Sequence, residues 1–399
     1  MDTDYRPTDT PEPEAVARAR ALVPRIAAAA PRIEAARELP ADLLAALHDT
    51  KMFRLLLPRW LDGAELDPPT YLQVLQTIAQ GDASTGWCLN QTSVCSITSI
   101  HLPRAVAQAV WGPRDGVLAW GIGPGSKAIA APGGYRISGT WGFGSGSRHA
   151  AHVGAHCMVF EADGTPRLHA DGKQVELTMV IPKSACSIDA RWDVLGLLGT
   201  GSDAYTVKDL FVDDAHTCTH LSRWHEATRP EFALCHRFGA TSLYAAGFAS
   251  VSCGNARKVL DDFIVLAGGK TPRGHKNAMR DSPVVQMQIA QWEMQLRGAW
   301  INLLDLFRTC RDSVAGGGGL TMDQRMTIRA AATWAIHQAT AVVEGCYRAA
   351  GTTAIFEANP FERRFRDAYT ISQHLQGRAA HFETVGKHIL GLEPEPLFL

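Results

Sequence analysis

The sequence lacks an excess of charge of either sign: 39 Lys+Arg stand against 40 Asp+Glu, a formal net charge of −1. Binding nucleic acid through its phosphates needs a basic surplus, so that class is set aside. A run of about 18 apolar residues is missing too, which removes a membrane-spanning helix. The opening residues, Met1-Asp-Thr-Asp-Tyr-Arg-Pro, are acidic and Pro-containing with no apolar stretch behind them, unlike a secretory signal. The nine cysteines are scattered, odd in number and never spaced C-x-x-C. That excludes a zinc ribbon and suits the reducing cytoplasm, the expected location, with thiols acting as small buried hydrophobes. Neither a G-x-x-x-x-G-K-[ST] phosphate loop nor a G-x-S-x-G nucleophile elbow occurs. Gly121-Ile-Gly-Pro-Gly-Ser-Lys approaches a dinucleotide fingerprint, but no helical pattern follows it. A common nicotinamide enzyme and a Ser/His/Asp hydrolase are both disfavoured.

With 399 residues the chain exceeds what one hydrophobic core of roughly 250–300 residues fills. Three stretches of different grammar divide it. Residues 12–116 read as helical: Tyr71, Val74, Leu75 and Ile78 fall at i, i+3, i+4 and i+7, and Leu43, Leu44 and Leu47 share a face. Pro24 and Pro31 lie inside the first helical pattern and are expected to kink or divide it. Residues 117–220 change to short alternating runs between Gly and Pro clusters, predicting an antiparallel β-barrel or sandwich. Residues 230–399 return to long helical patterns, Phe232–Leu266, Ser282–Val314, Met322–Ala350 and Pro360–Leu390, which imply a four-helix bundle.

His149, His152 and His156 cluster in the β region, but no carboxylate completes a ligand set on their face. They read as ordinary strand and loop histidines, and His216 and His220 as part of a polar inter-domain linker. No metal is expected.

Three segments stand out: Gly81-Asp-Ala-Ser-Thr-Gly-Trp87, Gly139-Thr-Trp-Gly-Phe-Gly-Ser-Gly146 with Trp192-Asp-Val-Leu-Gly-Leu-Leu-Gly-Thr-Gly-Ser202, and Phe361-Glu-Arg-Arg-Phe-Arg-Asp-Ala368. In their α–β–α order they resemble the acyl-CoA dehydrogenase fold, and within it the oxygenase components of flavin-dependent two-component monooxygenases. Those include hydroxylases of 4-hydroxyphenylacetate and steroid phenols, and dibenzothiophene and indole-3-acetate monooxygenases. The resemblance implies an α+β architecture: an N-terminal helical domain, a central antiparallel β-barrel and a C-terminal four-helix bundle, assembled as a homotetramer. It implies reduced FMN (FAD being possible) delivered by a separate flavin reductase. Oxygen would add to give a C4a-hydroperoxide that oxygenates an aromatic or heteroaromatic small molecule.

On that resemblance Trp141, Phe143, Ser145, Gly146, Thr200 and Ser202 are expected to contact the flavin. Small glycines let a strand approach a flat ring, and Ser145 offers a hydroxyl near a ring nitrogen. Trp87, Ser93 and Trp120 are expected on the substrate side. The catalytic expectation falls on Ser145 and His374. A dehydrogenase would hold its proton-abstracting Glu at about Leu375, and leucine cannot accept a proton; the neighbouring His374 stands where the monooxygenases carry a histidine. His374 is expected on the helix from Pro360, acting as a base or a donor, with Asp367 paired to Arg363 or Arg364. The stretch Asn90-Gln-Thr-Ser-Val-Cys95 holds no His, and a hydroxyl near Trp120 is replaced, so the hydroxyphenylacetate pocket does not carry over. Two other readings remain: a dehydrogenase or oxidase with its base moved to Glu344 or Glu357, and a non-catalytic flavin-binding protein.

Overall fold

The computed structural model describes residues 12–227, 229 and 231–393. The acidic opening stretch through residue 11 and the end of the expected C-terminal domain, 394–399, lie outside them.

The N-terminal portion is built from α1 (Glu14–Ala36), α2 (Ala41–Asp49), α3 (Pro68–Gly81), α4 (Ala83–Ser96) and α5 (Arg104–Trp111). Contrary to expectation, α1 runs unbroken through Pro24 and Pro31. Both prolines lie on its exposed side, where solvent can reach the carbonyls that they leave without an N–H partner. Asp67 caps α3 by accepting from Thr70 N at 3.3 Å, and Asp82 caps α4 by accepting from Thr85 N at 2.7 Å.

The central portion holds β1 (Leu118–Trp120), β2 (Lys127–Ala131), β3 (Gly134–Trp141), β4 (His152–Phe160), β5 (Glu176–Pro182), β6 (Ser187–Asp189), β7 (Ala204–Asp213) and β8 (Thr217–Thr219). The strands form one sheet in the order β6-β7-β3-β2-β4-β5-β8, with β1 beside β4. This corrects the expected antiparallel barrel in two ways. The ladder runs between edge strands without closing, and β4 pairs parallel with both β1 and β2. The parallel pairs arise because the β2–β3 hairpin is followed by a return on the far side of β2, through residues 142–151. That connection carries Ser145. One face of the sheet encloses its own small core around Ile137, Trp141, Val153, Met179 and Tyr205.

The C-terminal portion comprises α6 (Leu234–Arg237), α7 (Ala240–Gly269), α8 (Pro283–Ala315), α9 (Met322–Ala350), α10 (Pro360–Ser372) and α11 (Ala380–Ile389). Three long helices are present where four were expected. The last pattern breaks after Ser372, and a 3-10 turn over Leu375–Gly377 separates α10 from α11. Helix α7 packs against α9 on one side and α3 on the other. Its buried residues go all round, so N- and C-terminal helices share one continuous core.

Candidate active site

Two loops and three helices converge on one cluster of hydroxyls and rings. The 142–151 connection is laced to the loop preceding β7: Gly144 N donates to Asp203 O (3.1 Å), Gly146 N to Thr200 O (3.0 Å), and Arg148 pairs with the buried Asp203 carboxylate at 2.7 Å. Phe143 and Leu197 adopt left-handed φ of 60° and 53°. Such conformations cost of order 1–3 kcal/mol in a non-glycine residue and persist only where surrounding bonds hold them.

These bonds have a direction. Thr200 Oγ1 donates to Leu197 O at 2.8 Å, and a hydroxyl has one hydrogen. Thr200 must therefore accept from Ser202 Oγ at 2.7 Å, and Ser202 from Ser145 Oγ at 2.6 Å. Ser145 accepts in turn from the indole N–H of Trp87 at 3.1 Å. The chain runs Trp87 → Ser145 → Ser202 → Thr200 → Leu197 O. The proton of Ser145 is committed inward, and what Ser145 can offer a ligand is a lone pair.

Behind the hydroxyls lies a row of aromatic rings. Trp87 stacks on Phe248 with centroids 3.9 Å apart, and Phe248 on Tyr244 at 5.8 Å. Trp120 lies 6.5 Å from Tyr244, and its carbonyl accepts from Gln91 Nε2 at 3.1 Å. At the other end His374 meets Trp87 edge-on at 4.8 Å and Phe248 at 4.6 Å.

His374 is not on a helix, as expected, but at the head of the 3-10 turn after α10. Its Nδ1 accepts from Gln376 N at 3.3 Å, which leaves the proton of the neutral ring on Nε2. Burial, with a smaller contribution from the Arg329 cation, pushes its pKa down to about 3. The ring is neutral at any working pH, and its one basic nitrogen is already engaged. It is placed to donate through Nε2–H rather than to take a proton.

Of the predicted residues, the structure brings together Trp87, Ser145, Thr200, Ser202 and His374, with Gly146 in the laced loop and Trp120 at the far end of the row. Trp141 is corrected. It is 0% exposed in the sheet core, stacked on Tyr205 at 5.6 Å with its N–H on His156 O, and has no face to offer. Phe143, two residues on and past the strand end, is 64% exposed. Ser93 is fully buried on α4 but six residues round from Trp87, away from the ring row; Gln91 and Cys95 are the α4 side chains that reach Trp120 and Tyr244. Asp367 also departs from expectation. It pairs with neither arginine but accepts from Leu197 N at 2.6 Å, while Arg364 binds the carbonyls of Ala79, Gln80 and Gly81 at the end of α3. Tyr244 and Phe248 were missed; their i, i+4 spacing on α7 was the available signal.

The residues fit a flat, nitrogen-rich ring. A side chain built at Gly142 would meet nothing within 4 Å, so the strand end leaves open space beside the exposed Phe143. Ser145 presents an acceptor and His374 a donor toward the same cluster. Glu344 accepts from Tyr369 at 2.7 Å and pairs with Arg348, and Glu357 is exposed beyond the 3-10 stretch Gly351–Ile355; neither meets the rings. The histidines of the β region serve packing: His156 bonds Thr178 at 2.9 Å and lies edge-on to Trp120 and to His220, which is thus no mere linker residue. Among the described residues no group of three His, Cys, Asp or Glu side chains is placed to hold a metal ion, and no helix is long and apolar enough to cross a membrane.

Residues 246–378 match the family described as acyl-CoA dehydrogenase, C-terminal domain. The chain is 27% identical over 364 residues to an indole-3-acetate monooxygenase of Pseudomonas putida, covering 91% of this chain and 90% of that one. It is 26% identical over 364 residues to the flavin-dependent monooxygenase, oxygenase subunit HsaA, of Rhodococcus jostii (strain RHA1), covering 89% and 92%. In three dimensions it resembles XiaF from Streptomyces sp., solved in complex with FADH2 and glycerol, with a TM-score of 0.89, 23% identity and 96% of each chain covered. Over nearly its whole length the chain is therefore similar to monooxygenases, one of them the oxygenase subunit of a flavin-dependent enzyme, it shares its fold with a protein solved with FADH2, and residues 246–378 match the acyl-CoA dehydrogenase C-terminal domain.

Proposed function

We propose that this protein is the oxygenase component of a two-component flavin-dependent monooxygenase, acting on an aromatic or heteroaromatic small molecule. The observation that carries this reading is the directed hydroxyl chain that starts at Trp87 and Ser145, with a neutral, donor-bearing His374 against the same Trp87 ring. A dehydrogenase of this fold needs a carboxylate base there, and the chain offers Leu375 with Glu344 and Glu357 elsewhere.

Reduced flavin, FMN or FAD, supplies the electrons and activates oxygen when bound; a separate flavin reductase provides it. Ser145 would accept a hydrogen bond from the ring edge and so fix its position. Thr200 and Ser202 hold Ser145 in that orientation. Phe143 and Gly146 shape the approach of the ring. His374 would donate from Nε2 to a developing negative charge, a placement of a dipole rather than a proton transfer. Trp87, Phe248, Tyr244 and Trp120 keep water out and give an aromatic substrate a flat apolar wall. Assembly as a homotetramer would cover Val284, Met287 and Met294, exposed along α8, and Trp334, exposed on α9.

The test supplies NADH, a flavin reductase and 18O2 with a panel of indoles and phenols. One labelled oxygen in the product, dependent on the reductase, is the expected result. Bleaching of bound oxidised flavin by acyl-CoA thioesters, with no labelled product, would establish the dehydrogenase instead.

A further inference from the structure

The hydroxyl chain ends on the carbonyl of Leu197, which also accepts from Trp192 Nε1 at 3.1 Å. The N–H of the same residue is held at 2.6 Å by Asp367, 170 residues away on α10. Leu197 is thus pinned on both sides of a left-handed backbone that leucine avoids in isolation. The pinning extends along the loop. Arg366 Nη1 binds Leu195 O at 3.1 Å, and a Cβ at Gly196 would lie 2.3 Å from Arg366 O. A Cβ at Gly199 would lie 2.1 Å from Ile33 Cγ2 on α1. The loop is clasped between α10 and α1 so that Thr200 and Ser202 face Ser145.

We propose that Asp367 is a positioning residue for the flavin-facing hydroxyls: its carboxylate, by holding the Leu197 N–H, fixes the loop that orients Thr200, Ser202 and Ser145, and this hold tightens when Asp367 ionises. The inference rests on the flavin reading above and deepens it.

Asp367 is buried, and burial together with the nearby Asp82 carboxylate raises its pKa to about 7, against the Leu197 N–H and the cations of Arg363 and Arg364. The charged groups around it come from every side. Arg363, Arg364 and Arg366 share α10; Glu34 on α1 pairs with Arg366 at 2.5 Å; Asp82 stands at the α3–α4 junction; and Asp262 on α7 acts on Arg364. The loop itself contributes main chain. Asp82 keeps its charge occupied as the cap of α4, accepting from Thr85 N at 2.7 Å and Thr85 Oγ1 at 2.8 Å. The balance around Asp367 is therefore set by three acids and three bases. Above its raised pKa Asp367 is an ionised acceptor, and hydrogen bonds to a charged acceptor are roughly twice as strong as neutral ones.

The experiment uses the full-length protein and oxidised FMN as probe, titrated by fluorescence between pH 5.5 and 8.5, with hydrogen exchange of the 195–202 amides compared among variants at each pH. Asp367→Asn keeps shape and an acceptor but cannot ionise. The FMN phosphate titrates near pH 6 in every case, so the ratio of wild-type to variant affinity is the quantity read. Expected is a wild-type advantage that grows about five- to tenfold as pH rises through 7, the size of one strengthened hydrogen bond, with slower exchange at Leu197 in the wild type. Asp82→Asn keeps a competent helix cap and removes the neighbouring charge, so the midpoint should move to lower pH. Asp367→Ala should weaken FMN binding at every pH and speed exchange throughout the loop. Identical profiles for wild type and Asp367→Asn, or unchanged loop exchange in Asp367→Ala, overturn the proposal. If wild type binds no FMN at any pH, the flavin reading fails, while the exchange data still decide the link between Asp367 and Leu197.

Discussion

Trp87 and Ser145 are 58 residues apart and share a hydrogen bond of 3.1 Å from indole N–H to hydroxyl oxygen. It joins α4 to the connection between β3 and β4, and so ties the helical N-terminal portion to the sheet at the point where the hydroxyl chain begins. Because Ser145 donates onward to Ser202, this bond occupies one of its two lone pairs and leaves the other for a ligand.

Trp87→Phe tests the bond while preserving the stack on Phe248. The variant should lose about 1 kcal/mol of stability, the net worth of one hydrogen bond. It should also release two- to tenfold more hydrogen peroxide per flavin oxidised, because Ser145 is then free to rotate. Ser145→Ala should do the same with flavin affinity largely kept. The double variant should be no worse than Ser145→Ala alone, since both changes remove one interaction; additive losses in a peroxide assay would separate the two residues.

Acid should unfold this protein early, and the sign follows from its histidines. Burial pushes His149 and His374 down to about 3, His101 and His220 to about 4, and His156 well below its ordinary value. All five folded-state values lie below the unfolded value near 6.5, so the unfolded chain binds protons that the folded chain refuses. Stability is full above about pH 6.5 and falls as pH drops toward 3–4, with a slope of at most about 1.4 kcal/mol per pH unit for each such histidine. Asp367 works the other way: its raised value makes ionisation unfavourable, so its contribution declines from about pH 4 to 7. Urea unfolding at pH 7.5, 6.5 and 5.5 should show the midpoint dropping over the last interval, the five histidines outweighing one carboxyl.

Much of this site was legible in the sequence, for reasons that also explain what was not. Ser145, Thr200 and Ser202 stand in glycine-rich loops, where a hydroxyl has few local uses. His374 was reached through the family resemblance, which sets a dehydrogenase's base at about Leu375 and a monooxygenase's histidine beside it. Trp141 and Phe143 flank one glycine and look alike on paper. Strand alternation sends Trp141 inward, and the chain leaves the strand before Phe143. Tyr244 and Phe248 were hidden because α7 is apolar all round and shows no face. The break after Ser372 was hidden because no Pro or Gly marks it before Gly377. The bond from Asp367 to Leu197 spans 170 residues and had no local signature.

Gly199→Ala asks whether the clasp on the loop matters apart from any titration. The added Cβ would stand 2.1 Å from Ile33 Cγ2 and 3.0 Å from Ser84 Cβ, so α1, α4 or the loop must move. Overpacking of this kind costs typically 1–3 kcal/mol. The strain falls next to Thr200, so the expected outcome is a lower melting temperature together with weaker FMN binding. A melting temperature lowered with FMN affinity intact would show that the helices, not the loop, give way.

His374 separates a donor from a base. With Nδ1 engaged by Gln376 and the ring neutral down to about pH 3, it should contribute through Nε2–H without imposing a pH dependence of its own. Loss of one donor aimed at developing charge costs about 10²–10³ in rate. His374→Ala should therefore lower product formed per flavin oxidised by about that factor, and the shape of the pH–rate profile between 5.5 and 8.5 should not change. His374→Asn can present an amide N–H from a similar place and should recover part of the loss. A base would behave otherwise: an amide N–H cannot take a proton, so asparagine would rescue nothing. Measuring the three proteins across that range, with product and peroxide counted separately, distinguishes the two roles by whether asparagine recovers activity rather than by the size of the loss in alanine.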